Sequence, residues 1–389
     1  MNAPSPHRGV TREDLVLGSL LLFVPLTLIA AQWHWARGLQ FFCSVAAIVP
    51  LAAFIGRATE ALADRLGGKV GGLLNATFGN APDLLVGIFG VQKGLIPLVK
   101  ATLVGALISN SALIMGLCYV GAGLVYRRPR FKREEAGHHS VLMMLTVAAV
   151  LFPSVGALAG GGASAATIQS ISVGIALVLL LTYAAYAAYG ILGLESLRRR
   201  EPVGRDVYVT KEQDARGSGG WPLWLSLVVL VCTTGALIPI TNILTDTVEA
   251  VAHVLGWTDI FVGMVIVANA GNAAEAYAAI KLAIQRPGTP EEAPTGDSGL
   301  DIALGIASAS SIQIATFIAP VIVLYSLTGH HMTLVFSPVE IAILALLTII
   351  FAHIAHDGES NWLEGAQLLA LYAMAAILFY ALPVTAFGS

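Results

Sequence analysis

The sequence predicts an all-α integral membrane protein of eleven transmembrane helices, with one extra N-terminal helix before two inverted five-helix repeats. Three observations predict this fold class: the composition, the length of the apolar segments and the distribution of the basic residues. Of 389 residues, 56% are hydrophobic and only 12% are charged, whereas soluble proteins carry about 25% charged residues. The bilayer must therefore be the main solvent. The net charge of −3 offers no basic surface for nucleic acid.

The apolar segments have the length of transmembrane helices. A helix needs roughly 20 mostly apolar residues to span a bilayer, and long apolar runs without short alternating segments favour helices over a β-barrel. The predicted spans are residues 15–31, 36–57, 68–92, 96–125, 138–158, 164–194, 221–245, 259–284, 300–328, 336–356 and 361–383. The first run is either a retained helix or a signal peptide, and the interfacial anchors Trp33 and Trp35 after it favour a retained helix.

The basic residues support this helix count. With the N-terminus in the cytoplasm, all of the 21 lysines and arginines except Arg37, Lys93 and Lys100 fall on the cytoplasmic side. A missed helix would disturb this distribution, so the positive-inside rule supports both the count and the orientation. The sequence therefore predicts a multi-pass protein, expected in a bacterial inner membrane, with its C-terminus outside.

The two halves of the chain resemble each other. Residues 59–67 match residues 248–256 at an offset of 189, and Gly79-Asn80-Ala81 matches Gly271-Asn272-Ala273 at an offset of 192. Residues 105–109 match residues 309–313 at an offset of 204, and a polar loop at 286–299 accounts for this last increase. The predicted units are an N-terminal tail and extra helix at 1–35, a first repeat at 36–196, a cytoplasmic linker at 197–220 and a second repeat at 221–389.

Each predicted repeat has five helices, an odd number, so the two copies must cross the membrane in opposite directions. Inverted repeats of this kind are typical of secondary transporters, whose binding sites lie near the midplane at interrupted helices. The Gly-Asn pairs, and Pro82 in the first copy, are the interruptions expected there.

Two acids follow these interruptions, Asp83 in the first repeat and Glu275 in the second. A carboxylate near the bilayer centre costs roughly 2.5–3.5 kcal/mol or more, so a pair at equivalent positions indicates a function. Inversion brings the two together, and a hard divalent cation or protons would relieve their repulsion. In the alternative interpretation they cap broken helices or pair with a buried base, but the cores of the predicted helices contain no lysine or arginine.

Calcium takes six to eight oxygen ligands, more than two carboxylates supply. Further predicted ligands are the backbone carbonyls freed around Gly79 and Gly271 and the side chains of Asn80, Asn272, Ser109, Asn110, Ser310 and Gln313. If Ca²⁺ and H⁺ compete for the same carboxylates, Asp83 and Glu275 also couple the protons. Two further acids, Glu340 and Glu364, begin the last two predicted helices and serve either proton access or structure.

The residues from Gly71 to Asp83 resemble the first signature of the Ca²⁺/H⁺ antiporters, the cation/proton exchanger branch of the calcium/cation antiporter superfamily. Three later segments resemble the second half of the sequences in that family: residues 271–275, 310–313 and 357–365. The resemblance extends from about Arg57 to the end of the last predicted helix. It implies the eleven-helix fold and export of cytosolic Ca²⁺ driven by inward proton flow, with Asp83 and Glu275 binding the ion. No cofactor is expected beyond the transported ions.

Departures from the family's signature leave the preferred ion pair open. The first signature usually ends in Glu where this chain has Asp83, and an apolar residue is usual at the position of Asn269. The alternatives to Ca²⁺/H⁺ exchange are Na⁺ with Ca²⁺, or H⁺ with Mn²⁺ or Na⁺, on the same fold. An intramembrane hydrolase is disfavoured because HExxH and GxSxG are absent. The prediction is a transporter and not an enzyme, with the lipid bilayer, Ca²⁺ and H⁺ as its partners and a homo-oligomer as an open option.

Overall fold

The computed structural model describes residues 12–66, 74–75, 77–126, 129, 131, 133–159, 164–192, 221–285 and 299–382. Within these ranges every regular element is helical. In chain order the helices are α1 (Arg12–Leu20), α2 (Phe23–Gln32), α3 (Arg37–Leu66), α4 (Ala81–Gln92), α5 (Ile96–Tyr126), α6 (Arg133–Ala159), α7 (Ala165–Leu192), α8 (Leu223–Leu255), α9 (Asp259–Gly271), α10 (Ala273–Ile284), α11 (Leu300–Ser326), α12 (Pro338–Asp357) and α13 (Trp362–Ala381). The predicted linker at 197–220, the loop at 286–298 and residues 71–73 and 76 of the first signature lie outside the described residues.

The helices have the length and composition of a multi-pass membrane protein. Among the described residues, seven helical segments are long and apolar enough to cross a membrane. An eighth is added if α9 and α10, which meet at an angle of 61°, form one broken span. Shorter apolar helices are α4 and the segments Met143–Ala157 and Pro338–Ile354.

Two helices, α3 and α8, extend well beyond the spans predicted for them at 36–57 and 221–245. The predictions ended near the first polar or charged residues, but no proline follows them within either helix. The α8 helix continues to Leu255 and ends at Gly256, whose φ of 67° is the left-handed conformation that commonly terminates helices.

The long helices α3 and α8 pack against each other through one apolar cluster, which includes Ile48, Leu51, Leu237 and Ile240. Each contains one proline, Pro50 in α3 and Pro239 in α8. These prolines are separated by 189 residues, the same offset that relates residues 59–67 to residues 248–256. The pair α3 and α8 forms a scaffold beside the helix breaks.

The helices around the breaks cross at close range. A methyl group on Gly105 in α5 would lie 2.5 Å from the Cα atom of Met264 in α9, so only glycine permits this crossing. Turns of π-helix interrupt α5 at Ser109–Ile114, α9 at Val262–Val267 and α11 at Ile314–Ile318. Such turns insert an extra residue and are frequent at functional sites.

Candidate functional site

The two predicted interruptions are helix breaks in the structure. The α4 helix begins directly after Asn80, with Pro82 and Asp83 in its first turn. In the second copy Asn272 separates α9 from α10, and Glu275 lies in the first turn of α10. Each acid therefore lies at a helix N-terminus, where the helix dipole favours negative charge. Neither asparagine side chain caps its helix, so both amides are available to other elements.

The carboxyl group of Asp83 lies against the second motif. A methyl group on Gly271 would be 2.9 Å from Asp83 Oδ1, so the Asp83 side chain touches the backbone of the opposite break. Asp83 is only 4% exposed. The carboxyl group of Glu275 is close enough to interact electrostatically with that of Asp83. The structure thus brings both acids and Gly271 to one place.

The amide of Asn80 bonds to α11. Its Nδ2 atom donates to Gln313 Oε1 at 2.6 Å, and the Ser310 hydroxyl donates to Asn80 Oδ1 at 3.3 Å. The Ser310 side chain also lies beside Glu275. Three predicted ligands, one from the first half of the chain and two from the second, therefore form one cluster next to the acid pair.

The amide of Asn272 bonds to α5 in the first half of the chain. Its Nδ2 atom donates to Asn110 Oδ1 at 3.2 Å, and both residues are buried. Each Gly-Asn-Ala motif is therefore held by the other half of the chain. Ser109, the neighbour of Asn110, instead donates its hydroxyl proton to Asn269 Oδ1 at 2.5 Å.

Buried polar atoms remain unsatisfied at this place. Glu275 Oε2 and Asn110 Nδ2 are buried and have no hydrogen-bond partner among the described residues. A buried polar atom without a partner is costly. A cation, a water molecule or a proton would satisfy the Glu275 oxygen, whereas the Asn110 amide nitrogen is a donor and needs a water molecule or another acceptor. The available side-chain ligands are carboxylate, amide and hydroxyl oxygens, which suit a hard cation such as Ca²⁺ better than a soft transition metal.

Acids alone do not form a metal cluster in this structure. Within the described ranges no group of three or more His, Cys, Asp or Glu side chains is placed to hold a metal ion. A cation beside Asp83 and Glu275 would therefore depend on amide, hydroxyl and backbone oxygens for its other ligands.

Another predicted site residue, Gly79, packs against its own half of the chain. The nearest atoms to a methyl group on Gly79 belong to Asn75, whose carbonyl oxygen would be only 2.6 Å away. Asn75 itself accepts a hydrogen bond from Thr59 in α3. The sequence interpretation missed Asn75, although it belongs to the first signature, and it missed the contact of Asn269 with Tyr372.

The two other acids left open by the sequence have structural contacts at helix starts. Glu340 accepts hydrogen bonds from the backbone and hydroxyl of Ser337, and Ser337 caps α12 in return. Glu364 Oε1 accepts from the side chain of Asn361, which caps α13. These contacts favour a structural role for Glu340, whereas Glu364 Oε2 is buried and has no hydrogen-bond partner among the described residues.

Comparison with known proteins identifies the family. The profile of the sodium/calcium exchanger protein family matches residues 37–192 and 225–381. A Ca²⁺/H⁺ antiporter of Aphanothece halophytica is 34% identical over 96% of this chain and 98% of its own length. The Ca²⁺/H⁺ antiporter ChaA of Bacillus subtilis is 34% identical over 92% of this chain and 97% of its own length.

A solved structure agrees over the whole fold. The structure of native YfkE has a TM-score of 0.77 and 33% sequence identity, and the match covers 94% of this chain and 100% of that chain. The helix breaks with their paired acids, the matched family profile and these relatives together place the protein: it belongs to the sodium/calcium exchanger family of multi-pass membrane transporters, and within that family to the Ca²⁺/H⁺ antiporters.

Proposed function

We propose that this chain is a secondary active antiporter that exports cytosolic Ca²⁺ in exchange for H⁺. The observation that carries the proposal is the position of Asp83 against Gly271 and near Glu275, inside a shell of oxygen-bearing side chains. The relatives support the ion pair, since two that are each 34% identical are named Ca²⁺/H⁺ antiporters.

In the proposed mechanism Asp83 and Glu275 alternately bind the cation and protons. A Ca²⁺ ion needs both carboxylates in their charged form, so binding of the cation releases the protons they carry. Protonation removes the charge that attracts the cation, so the two substrates exclude each other. Alternating access of the site to the two sides of the membrane converts this exclusion into exchange.

The other oxygen ligands come from the two clusters around the helix breaks. We propose that a bound Ca²⁺ takes them from the backbone around Gly79 and Gly271 and from the side chains of Asn80, Asn272, Ser109, Asn110, Ser310 and Gln313. The exchange of amide contacts between the halves supports this assignment, because it holds both motifs at one position. The buried, unpartnered Glu275 Oε2 supports it as well.

The proposed architecture has eleven crossings, with inverted five-helix repeats at 36–196 and 221–389. The long helical segments, the bent pair and the shorter apolar helices each coincide with one predicted span, which supports this count. The distribution of basic residues supports a cytoplasmic N-terminus and an external C-terminus. The bacterial relatives support a bacterial inner membrane.

Transport into inside-out membrane vesicles tests the proposal. With an acidic lumen, wild-type vesicles should accumulate Ca²⁺, and a protonophore should abolish the accumulation. Uptake that requires a Na⁺ gradient instead would show that the alternative ion pair, Na⁺ with Ca²⁺, is the correct one. Mn²⁺ uptake under the same proton gradient, without Ca²⁺ uptake, would equally overturn the choice of ion.

Two carboxyl variants test the site. Asp83→Asn and Glu275→Gln keep the shape of the side chains but remove the titratable charge, so each should abolish proton-driven Ca²⁺ uptake. Asp64→Asn is a matched control, because Asp64 is an exposed acid near the end of α3. If both site variants transport like the control, the carboxylate assignment is wrong.

A further inference from the structure

Asn269 is a half-buried amide in α9, three residues before Asn272, with every polar atom of its side chain engaged. Its Oδ1 accepts the hydroxyl proton of Ser109 at 2.5 Å. Its Nδ2 donates to the hydroxyl of Tyr372 in α13 at 2.6 Å and to the carbonyl of Val265 at 2.6 Å. The contact with Val265 fixes the orientation of the amide, because a carbonyl oxygen only accepts and a flipped amide would place Asn269 Oδ1 against it.

The contact with Asn269 determines what Ser109 can offer to a cation. A serine hydroxyl has one proton and two acceptor lone pairs. Ser109 is completely buried, and its proton is given to Asn269. Only lone pairs therefore remain on the Ser109 oxygen, which is the state that a cation ligand requires. Without Asn269 the hydroxyl could rotate and direct its proton toward the site.

The two repeats differ at this point. The offset of 204 relates Ser109 to Gln313, and the offset of 192 relates Asn269 to Thr77. Gln313 is long enough to reach Asn80 in the opposite motif directly. Ser109 is shorter and bonds to Asn269, one helical turn away from Asn272. Asn269 therefore connects Ser109 to the second motif, whereas Gln313 bonds to the first motif without an intermediate residue.

We propose that Asn269 is a positioning residue for the transported cation, which it serves by fixing the Ser109 hydroxyl as an oxygen ligand, with Tyr372 holding the amide in place. The inference rests on the proposed function. A fixed oxygen discriminates between cations by size, because Ca²⁺ accepts ligands at about 2.3–2.6 Å in flexible geometry whereas smaller divalent cations need shorter, stricter distances. Asn269 thus sets both the apparent affinity for Ca²⁺ and the preference for Ca²⁺ over smaller divalent cations.

The test measures proton-driven uptake of Ca²⁺ and of Mn²⁺ separately in inside-out vesicles. The variants are Asn269→Leu, Ser109→Ala, the double variant that combines these two, and Tyr372→Phe. Asn269→Leu should raise the KM for Ca²⁺ by about three- to tenfold, the range expected for the loss of one hydrogen-bonded ligand, while kcat changes little. The ratio of kcat/KM for Ca²⁺ to that for Mn²⁺ should fall. The double variant should be no worse than Ser109→Ala, because Asn269 acts through Ser109.

Gln169→Leu is the matched control, since Gln169 in α7 is an amide that bonds to the backbone of Met332, far from the helix breaks along the chain. It should leave both KM values unchanged. The inference is overturned if Asn269→Leu keeps the wild-type KM and cation preference, or if its effect adds fully to that of Ser109→Ala. If Asn269→Leu does not fold, the KM values and cation preference of Tyr372→Phe test the inference by the same criteria. Failure of wild-type vesicles to take up Ca²⁺ would instead reject the proposed function itself.

Discussion

The backbone of Gly271 packs against the carboxyl group of Asp83, a residue 188 positions earlier in the chain. A methyl group on Gly271 would lie 2.9 Å from Asp83 Oδ1 and 3.6 Å from Pro82 Cβ. Carbon and oxygen atoms in ordinary contact are farther apart than 2.9 Å, so the missing side chain provides the room for the carboxyl group. The glycine of the second break therefore determines where the acid of the first break can lie.

Gly271→Ala should displace the Asp83 carboxyl group without removing it. Because a small misplacement of a reacting group can cost up to about a hundredfold in rate, we expect Ca²⁺ uptake to fall between about tenfold and about a hundredfold. Gly235→Ala in α8 is the control, since nothing lies within 4 Å of the added methyl group. Equal uptake by both variants, at equal expression, would show that Asp83 tolerates the displacement.

Much of the fold could be predicted from the sequence, because each apolar span is a local property of the chain. The membrane class, the broken helices and the grouping of both acids followed from apolar length and the repeat. The hydrogen-bond pairing of the polar ligands could not be predicted from either of these. The π-helical turn at Ser109–Ile114 shifts the face that α5 presents, so Asn110 bonds to Asn272 and Ser109 bonds to Asn269. Such a shift depends on packing between helices and has no local sequence signal.

The capping box of Ser337 and Glu340 predicts a role in stability for both residues. Ser337→Ala should lower the free energy of unfolding by about 0.5–2 kcal/mol, the usual effect of a lost N-cap, with normal Ca²⁺ uptake per folded molecule. Glu340→Gln keeps an oxygen that can accept from Ser337, so its uptake should stay within about twofold of wild type. Thermal unfolding in detergent and vesicle uptake measure the two effects. Loss of uptake in Glu340→Gln alone would instead assign Glu340 to proton access.

The crossing of α5 and α13 depends on Gly365. A methyl group there would lie 2.5 Å from the backbone nitrogen of Val120 and 2.7 Å from the carbonyl oxygen of Gly116. Because both neighbours are backbone atoms, the helices must separate to admit Gly365→Ala. Overpacking of this kind costs about 1–3 kcal/mol, so the unfolding temperature should fall.

Gly174→Ala in α7 provides the comparison for this crossing, since the added methyl group meets nothing within 4 Å. Alanine also favours a helix more than glycine does, so this variant should unfold at or above the wild-type temperature. An unchanged unfolding temperature for Gly365→Ala would mean that the two helices can adjust at no cost.

Lys93, directly after α4, joins the helix of Asp83 to α8. Its Nζ atom lies 2.9 Å from Asp246 Oδ1 and donates to the carbonyl of Asn242 and the hydroxyl of Thr245. The offsets of the repeat place Arg57 and Gln285 at the equivalent positions. Those two side chains cannot form an ion pair with each other. This ion pair therefore holds the C-terminal end of α4 to α8, and the two repeat-related residues cannot form such an ion pair with each other.

Lys93→Met should loosen the C-terminal end of α4 while leaving α10 unchanged. Both partners are partly exposed, with side-chain exposures of 23% and 47%, so the pair is worth at most about 1 kcal/mol. Backbone hydrogen exchange in residues 86–95 should accordingly rise by up to about fivefold, whereas residues 278–285 in the same sample provide an internal reference. Asp246→Asn should have a smaller effect, because Lys93 keeps its bonds to Asn242 and Thr245. An equal rise in both segments would indicate general destabilisation and would contradict a local connection between α4 and α8.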